Sequence, residues 1–157
     1  MFRQVIESPI GPLGLCANEQ AIVAITFDAQ ALPSDRENAI TAQAAQQLAE
    51  YFAGARTAFT VKLAPKGTAF QNQVWQALLA TQYGKTCSYR HIAEHIDNPK
   101  AVRAVGAANG KNPIPVIVPC HRIIGANGKL TGYAGGLDKK EILLALERNN
   151  SALSVDK

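Results

Sequence analysis

The sequence has few of the residues that build disulfide frameworks and metal sites. Its 157 residues include three cysteines, Cys16, Cys87 and Cys120, and three histidines. The cysteine number is odd and no pair has CxxC spacing, which argues against a disulfide framework and fits a reducing compartment. Cys87, His91 and His95 are spaced by four, but no fourth ligand is evident. We therefore expect no bound metal and no cofactor.

Long hydrophobic runs are also missing. No 18 consecutive residues are apolar, and the opening MFRQVIESPIG reaches Pro9 without the apolar stretch of a signal peptide. We therefore expect a cytoplasmic protein that makes no membrane contact. At 47% hydrophobic residues the chain is still able to bury a sizeable core, as one large or two small domains.

Charge is unevenly distributed along the chain. Residues 1–64 hold four Lys/Arg and six Asp/Glu, whereas residues 65–157 hold twelve and six. A basic second half favours an anionic partner such as nucleic acid, although on charge alone an ordinary solvated surface fits equally well. The segment APKG lies where the balance changes sign, so we expect an N-terminal α/β domain of residues 1–64 and a second domain of residues 65–157.

The N-terminal half has short strand patterns followed by a helical one. FRQVIES, LGLCA and AIVAITF are β-prone and are separated by turn-forming residues, which predicts an antiparallel meander. NAITAQAAQQLAEYFAG has apolar residues at helical spacing and predicts a helix that stops near Gly54. TAFTVKL, residues 57–63, predicts one more strand.

The second half predicts helices. Thr68 followed by Gln71 is a capping-box pattern, and the helix it opens is expected to end near Gly84. Ser88 is a suitable N-cap for YRHIAEHI, which leaves Cys87 just outside that helix. DNPK then breaks the chain, and AVRAVGAAN restarts a helix up to Gly110. Helix, short turn and helix fit a DNA-binding helix-turn-helix and two packed core helices equally well.

Cys120 follows an apolar run rich in proline. The run VIV is enclosed by prolines that fix φ and remove backbone donors, which predicts a stiff, buried, extended segment; they are Pro113, Pro115 and Pro119. A buried cysteine by itself is more often inert than reactive, but His121 and Arg122 are the residue types that stabilise a thiolate. Adjacent strand residues face opposite sides, so contact between Cys120 and His121 requires a turn or a bridging water.

These motifs together have a specific resemblance. NPIPVIVPCHRIIG, with SYRHIAEHIDNPKAVRAVGAANGKNP before it and GKLTGYAGGLDKKEILLALE after it, resembles the O6-alkylguanine-DNA alkyltransferases, or methylated-DNA-protein-cysteine methyltransferases. SPIGPLGL also looks like their more variable N-terminal domain. The resemblance implies a small antiparallel-sheet α/β domain similar to ribonuclease H, followed by a mainly helical, winged-helix-like domain with a helix-turn-helix.

The resemblance also implies the chemistry of DNA repair by direct damage reversal. The cysteine of the PCHR motif, Cys120, would take the alkyl group from O6 of guanine irreversibly, so each molecule acts once. His121 would generate the thiolate through a water, oriented by Glu147, an arrangement with the logic of a catalytic triad. Without the resemblance, Glu147 would be read as a solvated helix residue. Whether O4-alkylthymine is also a substrate stays open.

Further site residues follow from the same matches. Asn112 would use its amide to hold the chain between the second helix and the active-site segment. The phenol of Tyr89 would bond guanine N3 and help neutralise the departing base. Ile123, Tyr133 and Ala134 would shape the guanine pocket. Relatives also carry serine at the last of these positions, so here a backbone N–H would have to serve O6.

The implied partner is double-stranded DNA containing alkylated bases, bound by a monomer. A base inside a duplex cannot present O6 to a buried thiol, so the nucleotide must leave the stack. Arg103 would enter the duplex and fill the vacated place, while Ala104 and Ala107 let the helix approach the minor groove. We assign Arg122 to DNA binding as well. The basic half would supply phosphate attraction that does not depend on sequence.

Other functions account for parts of the sequence. A helix-turn-helix regulator with a structural or oxidation-sensing cysteine explains residues 88–110 but leaves PCHR unexplained. A cysteine hydrolase explains Cys120 and His121 but not the DNA-binding pattern. A non-catalytic lesion-binding protein would lack Cys120. Some relatives of the family carry zinc in the N-terminal domain, but residues 1–64 contain Cys16 and no histidine, so we expect none here.

Overall fold

The structure, a computed structural model, describes residues 1–128 and 130–155. The chain forms two compact units, Met1–Lys66 and Gly67–Lys157, and each is described by itself. Within the described residues, no helix is both long enough and apolar enough to cross a membrane.

The first unit is a three-stranded antiparallel sheet with one helix packed on it. The strands are β1 (Phe2–Ile6), β2 (Leu13–Ala17) and β3 (Ile22–Phe27), in that order, and the helix is α1 (Ala39–Phe52). The central strand buries Leu13, Leu15 and Ala17, which alternate along one face of the sheet. The predicted meander and helix are confirmed, and Gly54 lies just past the helix end with φ +80°.

The predicted strand TAFTVKL is wrong. Only one isolated bridge forms there, between Leu63 and Ile22. The cause is a side chain that no local pattern reveals: the Gln47 amide, buried on α1, accepts from the backbone N–H groups of Thr60 and Val61 and donates to the Thr60 hydroxyl. Because a side chain satisfies these backbone donors, the segment packs as a loop and needs no strand partner.

The second unit is mainly helical. Its helices are α2 (Ala69–Leu79), α3 (Tyr89–His95), α4 (Val102–Gly110) and α5 (Leu137–Val155), and β4 (Cys87–Ser88) pairs in parallel with β5 (Ile123–Ile124). Trp75 and Leu78 on α2 are buried with Leu143 on α5. The indole N–H of Trp75 donates to the Ala108 carbonyl at 2.9 Å, which ties α2 to α4.

The helix boundaries follow the cap residues. The capping box of Thr68 and Gln71 is present, and Ser88 accepts from the backbone N–H of His91 at the start of α3, as predicted. The helix expected to reach Gly84 instead ends at Leu79. The cause is at its last turn, where the Thr81 backbone N–H and hydroxyl both bond the Leu78 carbonyl and close the helix early.

The proline-rich segment is buried as predicted, but it is a tight turn and not extended. Val118 N–H donates to the Ile114 carbonyl at 2.9 Å, and Val116 has a φ of +74°. The Asn112 side chain closes this turn by accepting from Ile114 N–H at 3.0 Å and donating to the Val118 carbonyl at 2.8 Å. Prolines remove donors from the loop, and one asparagine amide supplies the bonds that fold it back.

Candidate active site

The candidate nucleophile lies at the start of a short 3-10 turn, Cys120–Arg122, which follows the buried loop directly. Cys120 N–H donates to the Val118 carbonyl at 2.8 Å, so the residue is fixed by the loop that Asn112 closes. All three side chains of the turn are buried, with 5%, 0% and 6% of Cys120, His121 and Arg122 exposed. Contact between Cys120 and His121 requires a turn at this place, and the 3-10 turn provides one.

The thiol is protonated at neutral pH. Burial raises the pKa of Cys120 to about 11, although hydrogen bonding with Asn112 and Tyr133 and the charge of Lys140 oppose this. At pH 7 a thiol with that pKa is ionised in about one molecule in ten thousand. Attack on carbon therefore requires a base that takes the thiol proton.

His121 and Glu147 form a buried pair. The imidazole Nε2 lies 2.7 Å from Glu147 Oε2, and Glu147, on α5, is 1% exposed. Burial favours the neutral acid, but bonds and charges from His121 and Arg122 outweigh it and lower the pKa of Glu147 to about 2. Burial lowers the pKa of His121, and Glu147 opposes this shift. The pair at neutral pH is thus a carboxylate beside a neutral imidazole.

The carboxylate also selects the imidazole tautomer. Since ionised Glu147 only accepts hydrogen bonds, Nε2 of His121 carries the proton and donates it. The other nitrogen, Nδ1, then has a free lone pair, and it is buried without a hydrogen-bond partner among the described residues. This lone pair is the basic atom that the site offers.

Arg122, assigned to DNA binding from the sequence, is turned inward. Its Nε donates to Glu147 Oε1 at 2.8 Å and its Nη2 to Oε2 at 3.1 Å, while Nη1 donates to the Thr81 carbonyl at 3.0 Å. A guanidinium held on both sides inside the unit is not available to a phosphate. The assignment of Arg122 as a DNA contact is therefore corrected.

Tyr89 and the predicted pocket residues differ in their burial and in their partners. The half-buried phenol of Tyr89 makes a hydrogen bond with the Thr131 hydroxyl. Ile123 is buried in β5, Tyr133 makes a hydrogen bond with Cys120, and Ala134 is exposed beside it. Burial and the adjacent Cys120 raise the pKa of Tyr133 well above its ordinary value, so its phenol stays protonated.

Helix α4 has one exposed face and one buried face. Arg103, Ala104 and Ala107 are exposed together, whereas Val105 and Ala108 face the core. A helix with two alanines beside one arginine presents a low surface from which one long cation projects.

Residues 1–128 and 130–155 contain no group of three or more His, Cys, Asp or Glu side chains that could hold a metal ion. Cys87 lies in β4, outside α3, as the Ser88 cap requires.

Two family models match this chain. The 6-O-methylguanine DNA methyltransferase DNA binding domain matches residues 69–149, and the ribonuclease-like domain of the same family matches residues 1–65. The chain belongs to the 6-O-methylguanine DNA methyltransferase family. The DNA binding domain model covers the turn of Cys120, the helix of Arg103 and the position of Glu147.

Relatives and solved structures agree with this family. A methylated-DNA–protein-cysteine methyltransferase of Methanosarcina acetivorans is 52% identical over 94% of this chain and 98% of its own length, and one of Methanosarcina barkeri is 49% identical over 96% and 99%. The crystal structure of Mycobacterium tuberculosis OGT in complex with DNA is 47% identical and has a TM-score of 0.88, covering 96% of this chain and 94% of its own.

These matches confirm the predicted family, the fold class and the class of activity, DNA repair by methyl transfer to a protein cysteine. They do not favour the regulator or the non-catalytic lesion binder.

Sequence reasoning missed one residue of this candidate site. Lys140 on α5 is fully buried, and its ammonium donates to the Thr131 carbonyl at 3.1 Å. Burial lowers the pKa of Lys140, and Cys120 opposes this shift. A signal was present: Lys140 comes seven residues before Glu147 and three before Leu143, so all three share one helix face.

Proposed function

We propose that this chain repairs alkylated double-stranded DNA by transferring the alkyl group from O6 of guanine to Cys120, once per molecule. The observation that carries the proposal is a buried, protonated thiol in the same turn as His121. One nitrogen of this histidine is held by a buried carboxylate, and the other, basic nitrogen has no hydrogen-bond partner among the described residues. A thiol that only packs has no need of such a pair.

Protons and electrons balance in the proposed alkyl transfer. His121 Nδ1 takes the thiol proton through a bridging water, and Glu147 stabilises the imidazolium that forms. The sulfur attacks the alkyl carbon, the S–C bond forms, and the C–O6 electron pair leaves with the guanine. Guanine gains one proton to become neutral, which equals the proton that the thiol lost. The thioether cannot revert, so the reaction stops at one turnover.

The departing base needs a donor and a shaped pocket. We assign Tyr89 as the phenol that bonds guanine N3, and Ile123 and Tyr133 as pocket walls. Ala134 has no hydroxyl, so O6 would be met by backbone N–H groups there. Asn112 serves by fixing the loop that carries Cys120, a role supported by its bonds to Ile114 and Val118.

DNA binding is assigned to the exposed face of α4. Arg103 would occupy the place of the extruded nucleotide, and Ala104 and Ala107 would lie against the minor groove. We also propose that residues 65–157 hold the DNA-binding and alkyl-acceptor functions, with residues 1–64 as a separate N-terminal domain. A monomeric state and a location in the cytoplasm stay predictions.

Incubation with O6-benzylguanine tests the proposal. We expect one benzyl group per protein and an equal amount of released guanine, with Cys120→Ala inert. Guanine released in excess of protein would indicate a hydrolase and contradict the single turnover. DNA binding without any benzylation would indicate a regulator or a lesion binder.

A further inference from the structure

The Glu147 carboxylate serves two buried side chains at once. His121 Nε2 lies 2.7 Å from Oε2, while Arg122 takes both oxygens, Oε1 at 2.8 Å from Nε and Oε2 at 3.1 Å from Nη2. The guanidinium is held from behind as well, by the Thr81 carbonyl at 3.0 Å and the Tyr83 ring at 5.8 Å. Its position is fixed, and it cannot turn away from the carboxylate without losing all these contacts.

We infer that Arg122 is a positioning residue for the alkyl transfer: it neutralises and orients the Glu147 carboxylate, so that His121 stays neutral and able to accept the Cys120 proton. The inference rests on the proposed function, because it concerns the base of that reaction.

The charges of the buried groups explain why Glu147 needs a positively charged partner other than His121. A buried carboxylate without a partner is costly and recruits a proton onto any adjacent imidazole. If His121 were the sole partner of Glu147, the favoured state would be imidazolium and carboxylate. An imidazolium has no lone pair on Nδ1 and cannot take the thiol proton. Arg122 supplies the permanent positive charge, so His121 does not have to.

The other groups around His121 act in the same direction. From the turn, Arg122 disfavours the imidazolium, and so does Lys140 from α5; complete burial of the ring adds to both. Among the described groups around the ring, Glu147, also on α5, is the one that favours it. Removing Arg122 therefore tips the balance toward a protonated His121.

A measurement on the unmodified protein tests this first. Nitrogen NMR of His121 is expected to show a neutral ring at pH 7 with its proton on Nε2. An imidazolium at pH 7, or the proton on Nδ1, would overturn the inference without any variant.

Variants test the cause. Arg122→Gln removes the charge and Arg122→Lys keeps it. Arg148→Gln removes an exposed cation from the residue that directly follows Glu147 on α5. The rate of Cys120 benzylation by O6-benzylguanine is followed from pH 5.5 to 9.5, which requires no DNA. We expect the acid limb of Arg122→Gln to move up by about one pH unit or more, with about a tenfold loss below the limb and little loss at pH 9.

The two controls define the alternatives. Arg122→Lys is expected to keep the acid limb within about half a unit, and Arg148→Gln to leave it unchanged because solvent screens that charge. A loss by the same factor at every pH in Arg122→Gln would mean that Arg122 only supports the fold, and would overturn the inference. Failure of the unmodified protein to be benzylated at any pH would instead contradict the proposed function. The nitrogen NMR spectrum of His121 would still test the role of Arg122.

Discussion

The amide of Asn109, on the buried face of α4, donates to the carbonyl oxygen of Cys120 at 3.5 Å. The helix assigned to DNA is thereby joined to the backbone of the residue assigned to the chemistry. The thiol of Cys120 is itself enclosed by Asn112 and Tyr133, and the residue is only 5% exposed. A group added to the sulfur must therefore displace its neighbours.

The alkylated protein is expected to be less stable than the free form. Overpacking a filled site costs about 1–3 kcal/mol, which for a chain of this size lowers Tm by roughly 2–4 °C per kcal/mol. Thermal melts of methylated and unmethylated protein in one buffer measure the difference. Cys120→Ala carried through the same treatment is the control. An equal or higher Tm after methylation would show that the sulfur has room to spare.

Arg103→Ala is expected to separate nucleotide extrusion from chemistry. Duplex DNA requires the base to leave the stack, whereas free O6-benzylguanine already exposes its reactive carbon. Repair of methylated duplex should therefore slow far more than benzylation by the free base. Single-turnover rates on the two substrates measure the ratio. Equal losses on both would mean that Arg103 supports the pocket or the fold.

The control for that experiment is Lys100→Ala, which removes an exposed cation from the turn before α4. If Arg103 acts only through phosphate attraction, both variants should weaken binding to undamaged duplex and lower the salt slope by about one unit per lost contact. Only a residue that fills the vacated place should slow duplex repair beyond this shared effect.

Glu147→Gln is expected to be strongly destabilising near neutral pH. Breaking a buried ion pair leaves Arg122 uncompensated and costs about 3–5 kcal/mol. Because the folded pKa is lowered to about 2, the carboxylate contributes its full stability above its ordinary pKa and loses it as pH falls toward 2. Urea unfolding at several pH values should show the two proteins converging as the pH is lowered through this window.

The matched control is Glu141→Gln, on the exposed side of the same helix. Its free energy of unfolding is expected to stay within about 0.5 kcal/mol of the unmodified protein at pH 7. A Glu147→Gln protein as stable as this control would contradict a buried, ionised carboxylate.

Asn112→Ala is expected to loosen the loop that fixes Cys120. The variant leaves the Ile114 N–H without its acceptor, whereas the Val118 carbonyl loses the Asn112 amide but keeps the Cys120 N–H. One orphaned buried group costs about 1–3 kcal/mol. Denaturant unfolding measures the loss, and Asn112→Asp is the comparison because it keeps the acceptor for Ile114 and loses the donor to Val118. A variant as stable as the unmodified protein would show that the turn holds itself.

Local signals in the sequence predicted where the helices begin. The cap residues Thr68 and Ser88 bond to the backbone of their own helical turn. Their effect can therefore be predicted from the local sequence pattern. The strand predicted at residues 57–63 failed because Gln47, from another element, satisfies its backbone donors. The prediction that α2 ends near Gly84 failed for a smaller reason, the single hydroxyl of Thr81.

The residue types of the active site were visible in the sequence, but their partners were not. PCHR pointed to Cys120 and His121, and a resemblance was needed to select Glu147 from among the helix acids. The inward position of Arg122 and the burial of Lys140 depend on how α5 packs against the turn, which no spacing rule supplies. Most arginines are exposed, so the sequence alone favours a surface position for Arg122 and not the buried one that the structure shows.

The most direct test of the account is the intact mass of the protein after exposure to excess methylated duplex DNA, followed by peptide mapping. We expect the mass to rise by one methyl group and then stop, with the methyl on Cys120 alone. Continued loss of methyl groups from the DNA beyond one per protein, or a methyl group on Cys16 or Cys87, would contradict the account.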